Sequence, residues 1–349
     1  MIERKAGTSM IQEAIQRLAE GKSLSYELAK AMMGQIMSGK ATEGQIGAVL
    51  GMLRMKGETI DEITGCAAAM REACAPVEPK QPVFEIVGTG GDGANTFNIS
   101  TTTMFVVAAG GVAVAKHGNR SASGRCGAAD CLEALGTVLT LDSHANEKML
   151  AETGMCFMFA PVYHSSMKYA APVRKSLGIR TVFNILGPLA NPAGATTQLM
   201  GVFDKSLVKP MAQVLVNLGV KRGAVVYGMD GLDEITACDK TFVCEIEEGK
   251  LTEYMLDPAD LGLPYAAPES LVGGDAQENA AITKAVLQGE EGPRRQAILL
   301  NSAMSFHLTK PNTSLADGLK LAAKLIDDGI ALAQMERFVA FSKEVAYDS

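Results

Sequence analysis

The sequence predicts an α/β protein in which a small all-helical domain precedes a larger domain built on a mostly parallel sheet. Three observations carry this. Apolar residues in the first 75 positions recur only at helical spacing. A run with three prolines, Ala75-Pro76-Val77-Glu78-Pro79-Lys80-Gln81-Pro82, then ends the helical pattern. Beyond it, short apolar runs alternate with helix-length amphipathic stretches, as βα units require. At roughly 150 residues per domain, the 349 residues suffice for two. The division is residues 1–80, helical, with a helical contribution from about residues 165–195, and residues 81–349, the α/β body.

Taken in order, Met10, Ile11, Ala14, Ile15 and Leu18 form one helical face. Leu28, Met32, Ile36 and Met37 form a second, closed by Ser38-Gly39. Thr42 with Gln45 and Thr59 with Glu62 are capping boxes that open two further helices, separated at Gly57. After the proline break, strands are expected at 84–87, 112–115, 157–160, 199–202 and 224–227. Residues 241–246 and 251–255, joined by Glu247-Glu248-Gly249-Lys250, predict a hairpin at one edge. The last hundred residues return to helices.

Composition narrows the function. The formal net charge of -7 argues against a nucleic-acid backbone as the main partner, although a local basic pocket for small anions is compatible with it. Apolar stretches break off well short of the roughly 18 residues a membrane helix needs. The N-terminal MIERKAGTSMIQEAI has no signal-peptide apolar region. Seven cysteines, at 66, 74, 126, 131, 156, 238 and 244, form no CxxC, and the four histidines are scattered. Reduced, mostly buried thiols in a cytoplasmic protein are expected, without a zinc site.

In such a sheet, ligands bind where the carboxyl ends of the strands open into loops. The unusual residues follow the apolar runs directly. Gly88-Thr89-Gly90-Gly91-Asp92-Gly93 brings backbone N–H groups close to whatever binds, which suits phosphate. It lacks the Gly-Lys-Ser/Thr of a Walker loop, and the second strand ends in Lys116 where a ribose-binding acid would stand. Asp92 would repel a phosphate unless a cation intervenes, so the loop is either a plain turn or a cradle for a metal-bound pyrophosphate. Asn98-Ile99-Ser100-Thr101-Thr102-Thr103 opens a helix, and its hydroxyls can cap it, bind phosphate, or do both. Lys116-His117-Gly118-Asn119-Arg120-Ser121-Ala122-Ser123-Gly124-Arg125 crowds three cations at one strand end. Asp233-Glu234, after the strand at 224–227, is either a solvated pair or a Mg²⁺ site completed by substrate phosphates. His164-Ser165-Ser166-Met167-Lys168-Tyr169-Ala170-Ala171-Pro172-Val173-Arg174 is a polar, mildly basic helix whose arginine can pair a carboxylate. The segment from Val182 to Pro192 would make an apolar wall.

Read together, GTGGD, Asn98-Ile99-Ser100-Thr101, KHGNR, the stretch from His164 to Arg174, Asn184-Ile185-Leu186-Gly187-Pro188-Leu189 with Asn191-Pro192, and Asp233-Glu234 occur in one order across most of the chain. In this the sequence resembles the anthranilate phosphoribosyltransferase family, which acts in tryptophan biosynthesis. The resemblance implies a nucleoside-phosphorylase/phosphoribosyltransferase-like fold, a homodimer, Mg²⁺, and the substrates phosphoribosyl pyrophosphate and anthranilate. It assigns catalytic roles to Lys116 and Asp92. It places phosphoribosyl pyrophosphate on Gly88, Gly90, Gly91, Asp92, Thr96, Asn98, Ile99, Ser100, Thr101, Lys116, His117, Gly118, Asn119, Arg120, Ser121, Ala122, Ser123, Gly124 and Ala128. Anthranilate falls on Gly88, His117, Asn119, His164 and Arg174, and the metal on Ser100, Asp233 and Glu234. One departure stands out. Gly127-Ala128-Ala129-Asp130 replaces the family's usual Gly-Ser-Ala-Asp, so Ala128 lacks a hydroxyl and backbone N–H groups must serve the 5-phosphate. A pyrimidine nucleoside phosphorylase would share the fold but not the metal carboxylates, and a nucleic-acid-binding relative conflicts with the acidic charge.

Overall fold

Four helices begin the chain: α1 (Met10–Ala19), α2 (Tyr26–Met37), α3 (Glu43–Lys56) and α4 (Ile60–Ala73). Each starts at a hydroxyl cap, from Ser9, Ser25, Thr42 and Thr59 in turn. Both capping boxes expected from sequence form, and Ser9 with Gln12 makes a third. The structure is a computed structural model and describes residues 9–121 and 124–347.

The proline-rich segment leads out of α4 and is tied to a later part of the chain. Ala75 N–H donates to Tyr163 O and Val77 N–H to Pro192 O. The α/β body then runs β1 (Phe84–Gly88), α5 (Ile99–Ala109), β2 (Val114–Gly118), α6 (Ala128–Leu135), α7 (Ser143–Thr153) and β3 (Met155–Phe159). A helical excursion follows, with α8 (Ala160–Tyr163), α9 (Ala171–Leu177) and α10 (Phe183–Leu186). The sheet resumes with β4 (Thr197–Gly201), α11 (Val208–Asn217), β5 (Arg222–Gly228), β6 (Thr241–Glu247) and β7 (Lys250–Leu256). Helices α12 (Ala276–Leu287), α13 (Pro293–Thr309), α14 (Leu315–Asp327) and α15 (Ile330–Tyr347) close the chain. Among the described residues no helix is long and apolar enough to cross a membrane.

The seven strands are ordered β3-β2-β1-β4-β5-β6-β7. β1 to β5 are parallel, and the expected hairpin, β6 with β7, adds an antiparallel edge. Strand order reverses between β1 and β4, which sets the crevice of the open sheet at their carboxyl ends. Alternate residues serve opposite faces. Leu199, Ala224, Val226 and Val243 join the core beneath α5 and α13. Met200, Val202, Val225 and Cys244 join a second core shared with α1 to α4 and the excursion residues Val173, Phe183 and Leu186. Arg71 of α4 fastens this layer by donating to Leu189 O and Leu218 O.

Each strand is offset by one to three residues from its sequence expectation, and at β2 the offset matters. The sequence places Lys116 at the end of the apolar run 112–115, whereas β2 continues to Gly118 and takes Lys116 and His117 inside the sheet. β1 and β2 share a single registered pair, Phe84 with Val114. Past it, side chains span the seam. Lys116 Nζ donates to Ile86 O at 2.5 Å, and the buried Glu85 carboxylate accepts from His117 N–H at 3.1 Å.

Candidate active site

At the reversal point the glycine loop, Lys116 and the Asp233-Glu234 turn meet. Gly90, Gly91 and Gly93 hold φ of 67°, 77° and 79°, a backbone conformation that glycine adopts without strain. Gly90 N–H donates to Asp233 Oδ2 at 2.6 Å, and Ser100 N–H to Glu234 Oε1 at 3.1 Å. Lys116, 2% exposed, also donates to Ser100 Oγ at 3.2 Å, linking the cation to the start of α5. This close approach needs glycine at two strand tips, because a Cβ on Gly88 or Gly201 would collide with Asp233. Asp92 lies against Asp233, and its own carboxylate accepts from Ala94 N–H.

The electrostatics are those of groups taken out of water. Burial pushes the Asp233 carboxyl up to about 7, with Asp92 adding to the shift. Burial and then Asp233 push Glu234 up to about 8. Burial pulls Lys116 down, opposed by Glu234, Glu85 and Asp233. Buried carboxylates held only partly by N–H donors suit a hard cation. Among the described residues no group of three or more His, Cys, Asp or Glu is arranged to hold a metal. Two carboxylates with the Ser100 hydroxyl do fit Mg²⁺, which keeps several waters and fills its shell from substrate phosphates.

A second cluster lies across β2. The His117 and His164 rings stand 4.9 Å apart at 58°. The backbone at Gly187 lies close to His117 and that at Ala190 close to His164. The segment read as an apolar wall therefore backs both rings. The Nε2 atoms of both histidines are buried without a protein partner. Burial, with His164 adding, pulls His117 down to about 3, and burial lowers His164 also, so both rings are neutral at pH 7. Arg174 rests its guanidinium 5.0 Å from the Phe183 ring centre, and among the described residues no carboxylate pairs with it.

The remaining expected residues divide. Arg120 does not serve the pocket as a free cation. Its guanidinium binds Asp130 at 2.8 Å and both carboxylate oxygens of Glu133 at 2.8 and 2.9 Å. Ile99 lies in the core, and its N–H is engaged by Phe97 O. Thr101 is buried with an unpartnered hydroxyl. The Asn98 side chain donates to Cys126 O rather than capping α5. Thr96 bridges Val272 at the rim. Gly118 and Asn119 lead from β2 to the mouth, where Asn119 Oδ1 accepts from Arg120 N–H. Ser121 Oγ accepts from Gly124 N–H. Ala122 and Ser123 lie outside the described residues. Ala128 opens α6, but the neighbouring N–H groups of Gly127 and Ala129 are engaged by Asp130 Oδ2 and Asn119 O.

Sequence reasoning missed two partners. Arg180, beyond α9, donates to Gly91 O and stacks 4.2 Å over the Phe203 ring centre, holding the glycine loop from the excursion. Glu85 is the other. Neither follows an apolar run, and their partners are distant in the chain.

Comparison with known proteins bears on this arrangement. Residues 80–332 match the model of the glycosyl transferase family a/b domain, and residues 12–74 that of its helical bundle domain. The anthranilate phosphoribosyltransferase of Lachnoclostridium phytofermentans is 55% identical over 95% of this chain and 99% of its own. That of Methanobrevibacter smithii is 52% identical over 95% and 99%. The chain belongs to the anthranilate phosphoribosyltransferase family. Among solved structures, the family member from Thermus thermophilus superposes with a TM-score of 0.90 at 43% identity, covering 95% of this chain and 99% of that one. The Saccharomyces cerevisiae member in complex with PRPP and Mg superposes at 0.88 with 27% identity, covering 97% and 99%. The small helical domain and the mostly parallel sheet of the other are thus the family's fold.

Proposed function

We propose that this chain transfers the phosphoribosyl group of 5-phosphoribosyl 1-pyrophosphate to the amine of anthranilate, giving N-(5-phosphoribosyl)anthranilate and pyrophosphate, with Mg²⁺ as cofactor. The observation that carries the reading is the convergence of Lys116, the glycine loop and the Asp233-Glu234 pair at the sheet's reversal point, with the neutral ring of His117 on the same strand as Lys116 and that of His164 against it. The division into residues 1–80, with its contribution from 165–195, and 81–349 then describes two walls of one cleft.

The chemistry follows from charge. The bond from ribose C1 to the pyrophosphate oxygen breaks as the bond from C1 to the aniline nitrogen forms, and the nitrogen then loses a proton to solvent water. Negative charge grows on the leaving pyrophosphate. Lys116, with the glycine loop, supplies the positive charge that offsets it. Asp233, Glu234 and the Ser100 hydroxyl would hold Mg²⁺, which when bound neutralises phosphate charge. Arg174 pairs the anthranilate carboxylate, and the His117 and His164 rings flank its ring. Neither histidine is set up as a strong base, and an aniline nitrogen is nucleophilic without prior deprotonation. Positioning and exclusion of water from the donor supply the rest.

The same reading makes the protein a cytoplasmic homodimer, supported for location by seven unpaired cysteines and for assembly by the family resemblance. Anthranilate fluorescence followed with phosphoribosyl pyrophosphate and Mg²⁺ tests the activity. A decline that depends on all three components is expected, and a steady signal with folded protein overturns the reading.

A further inference from the structure

We propose that Asn301 of α13 is a positioning residue for the metal-binding carboxylates, acting through the backbone of Ile235. The inference rests on the reading that Asp233 and Glu234 hold Mg²⁺. Asn301 is fully buried, far from either carboxylate in sequence. Its Oδ1 accepts from Ile235 N–H at 3.2 Å, and its Nδ2 donates to Ile235 O at 2.8 Å. Both bonds fall on the residue directly after Glu234. The amide therefore acts as a neighbouring strand would, pairing the N–H and C=O of one residue. The second Nδ2 hydrogen donates to Ala297 O at 2.9 Å, one turn back on α13, which fixes the amide's orientation.

This grip matters because of where the turn lies. Between Gly228 at the end of β5 and Thr241 at the start of β6 the chain leaves the sheet ladder. The carboxylates of Asp233 and Glu234 are held there out of water, with the half-buried Asp92 against Asp233. Their repulsion favours a turn that swings away. Asn301 opposes that swing, and with the Ile235 peptide held, Glu234 is aimed at Ser100 N–H. Helix α13 also packs on α5, which carries Ser100, so one helix backs both sides of the metal site. An uncharged amide is the residue type this requires: it offers donor and acceptor together without adding a fourth negative charge.

The test compares Asn301→Ala and Asn301→Ser with Ser305→Ala. Ser305 lies one turn further along α13, is equally buried, and its hydroxyl donates to Asn301 O within the helix. Two readouts are taken: the Mg²⁺ concentration for half-maximal turnover at saturating organic substrates, and the rise in melting temperature on adding Mg²⁺ with pyrophosphate. Loss of a residue that orients metal ligands typically weakens metal affinity by about 10- to 100-fold. The Asn301 variants are expected to raise the Mg²⁺ requirement by about tenfold or more and to lose most of the Mg²⁺-dependent melting shift, with Ser305→Ala within about twofold of the parent. Should Asn301→Ala not fold, Asn301→Ser carries the comparison. A Mg²⁺ requirement unchanged in the folded Asn301 variants overturns the inference, as does an equal shift in Ser305→Ala. A parent enzyme indifferent to Mg²⁺ removes the metal reading, and the inference falls with it.

Discussion

The two halves of the candidate site are built on opposite principles. On the side of the glycine loop nearly every polar group already has a protein partner: Lys116 with Ile86 and Ser100, Asp233 with Gly90, Glu234 with Ser100. On the side of the histidines the polar groups wait, with both Nε2 atoms buried and unbonded and Arg174 lacking a carboxylate. The first half must hold mutually repelling charges in place before a highly charged ligand arrives, and internal hydrogen bonds do this. On the proposed function the second receives a small, nearly planar molecule with one carboxylate, and for it a guanidinium and two ring nitrogens are left without protein partners. Damage to the first half should therefore lower turnover, and damage to the second should mainly weaken binding.

The sharpest way to break this contrast is Lys116→Ala. Removing one preorganised group that faces developing charge costs about 10²- to 10³-fold in turnover, read from the fluorescence assay. Asp233→Asn comes next, with turnover or Mg²⁺ affinity down by about 10- to 100-fold. Arg174→Ala should raise the anthranilate KM by about tenfold or more, the worth of a lost hydrogen bond to a charged group, with kcat little changed. An unchanged anthranilate KM would remove that assignment and, with it, the distinction between the halves.

The smallest effect is a pH dependence of stability. Asp233 and Glu234 bind protons more tightly in the folded chain than in the unfolded one, where they titrate near 3.8 and 4.5. The stability so gained is full below those values and is lost as pH rises through about 7 and about 8. The melting temperature of the ligand-free protein should fall by roughly a few degrees across that window. Mg²⁺ with pyrophosphate should flatten the slope, and Asp233→Asn should reduce it. Glu85, also raised by burial, contributes in the same direction and remains in that variant.

Much of this was readable in the residue order, and the exceptions have a common cause. Helix faces, capping boxes and the β6–β7 hairpin are local signals, and they formed as expected. The extent of β2 was not, because a lysine inside a buried strand is tolerable only if a distant group accepts its protons, and Ile86 O and Ser100 Oγ are invisible from residues 112–118. Arg120 looked like a pocket cation because its strand end is basic, while the carboxylates that claim it lie on α6, whose packing no spacing rule reports. Arg180, Glu85 and Asn301 share the converse problem. Each is an ordinary residue in an ordinary segment, and its importance comes only from the backbone atom it meets across the fold.

The seam between β1 and β2 has a consequence for how this enzyme can change. Elsewhere in the sheet the spacing of neighbouring strands is dictated by main-chain bonds that no substitution can edit. Past the Phe84–Val114 pair, two side chains, Glu85 and Lys116, bridge these strands beneath the glycine loop. The separation of the glycine loop from Lys116 is therefore heritable one codon at a time, and a lineage can adjust it without rebuilding the sheet.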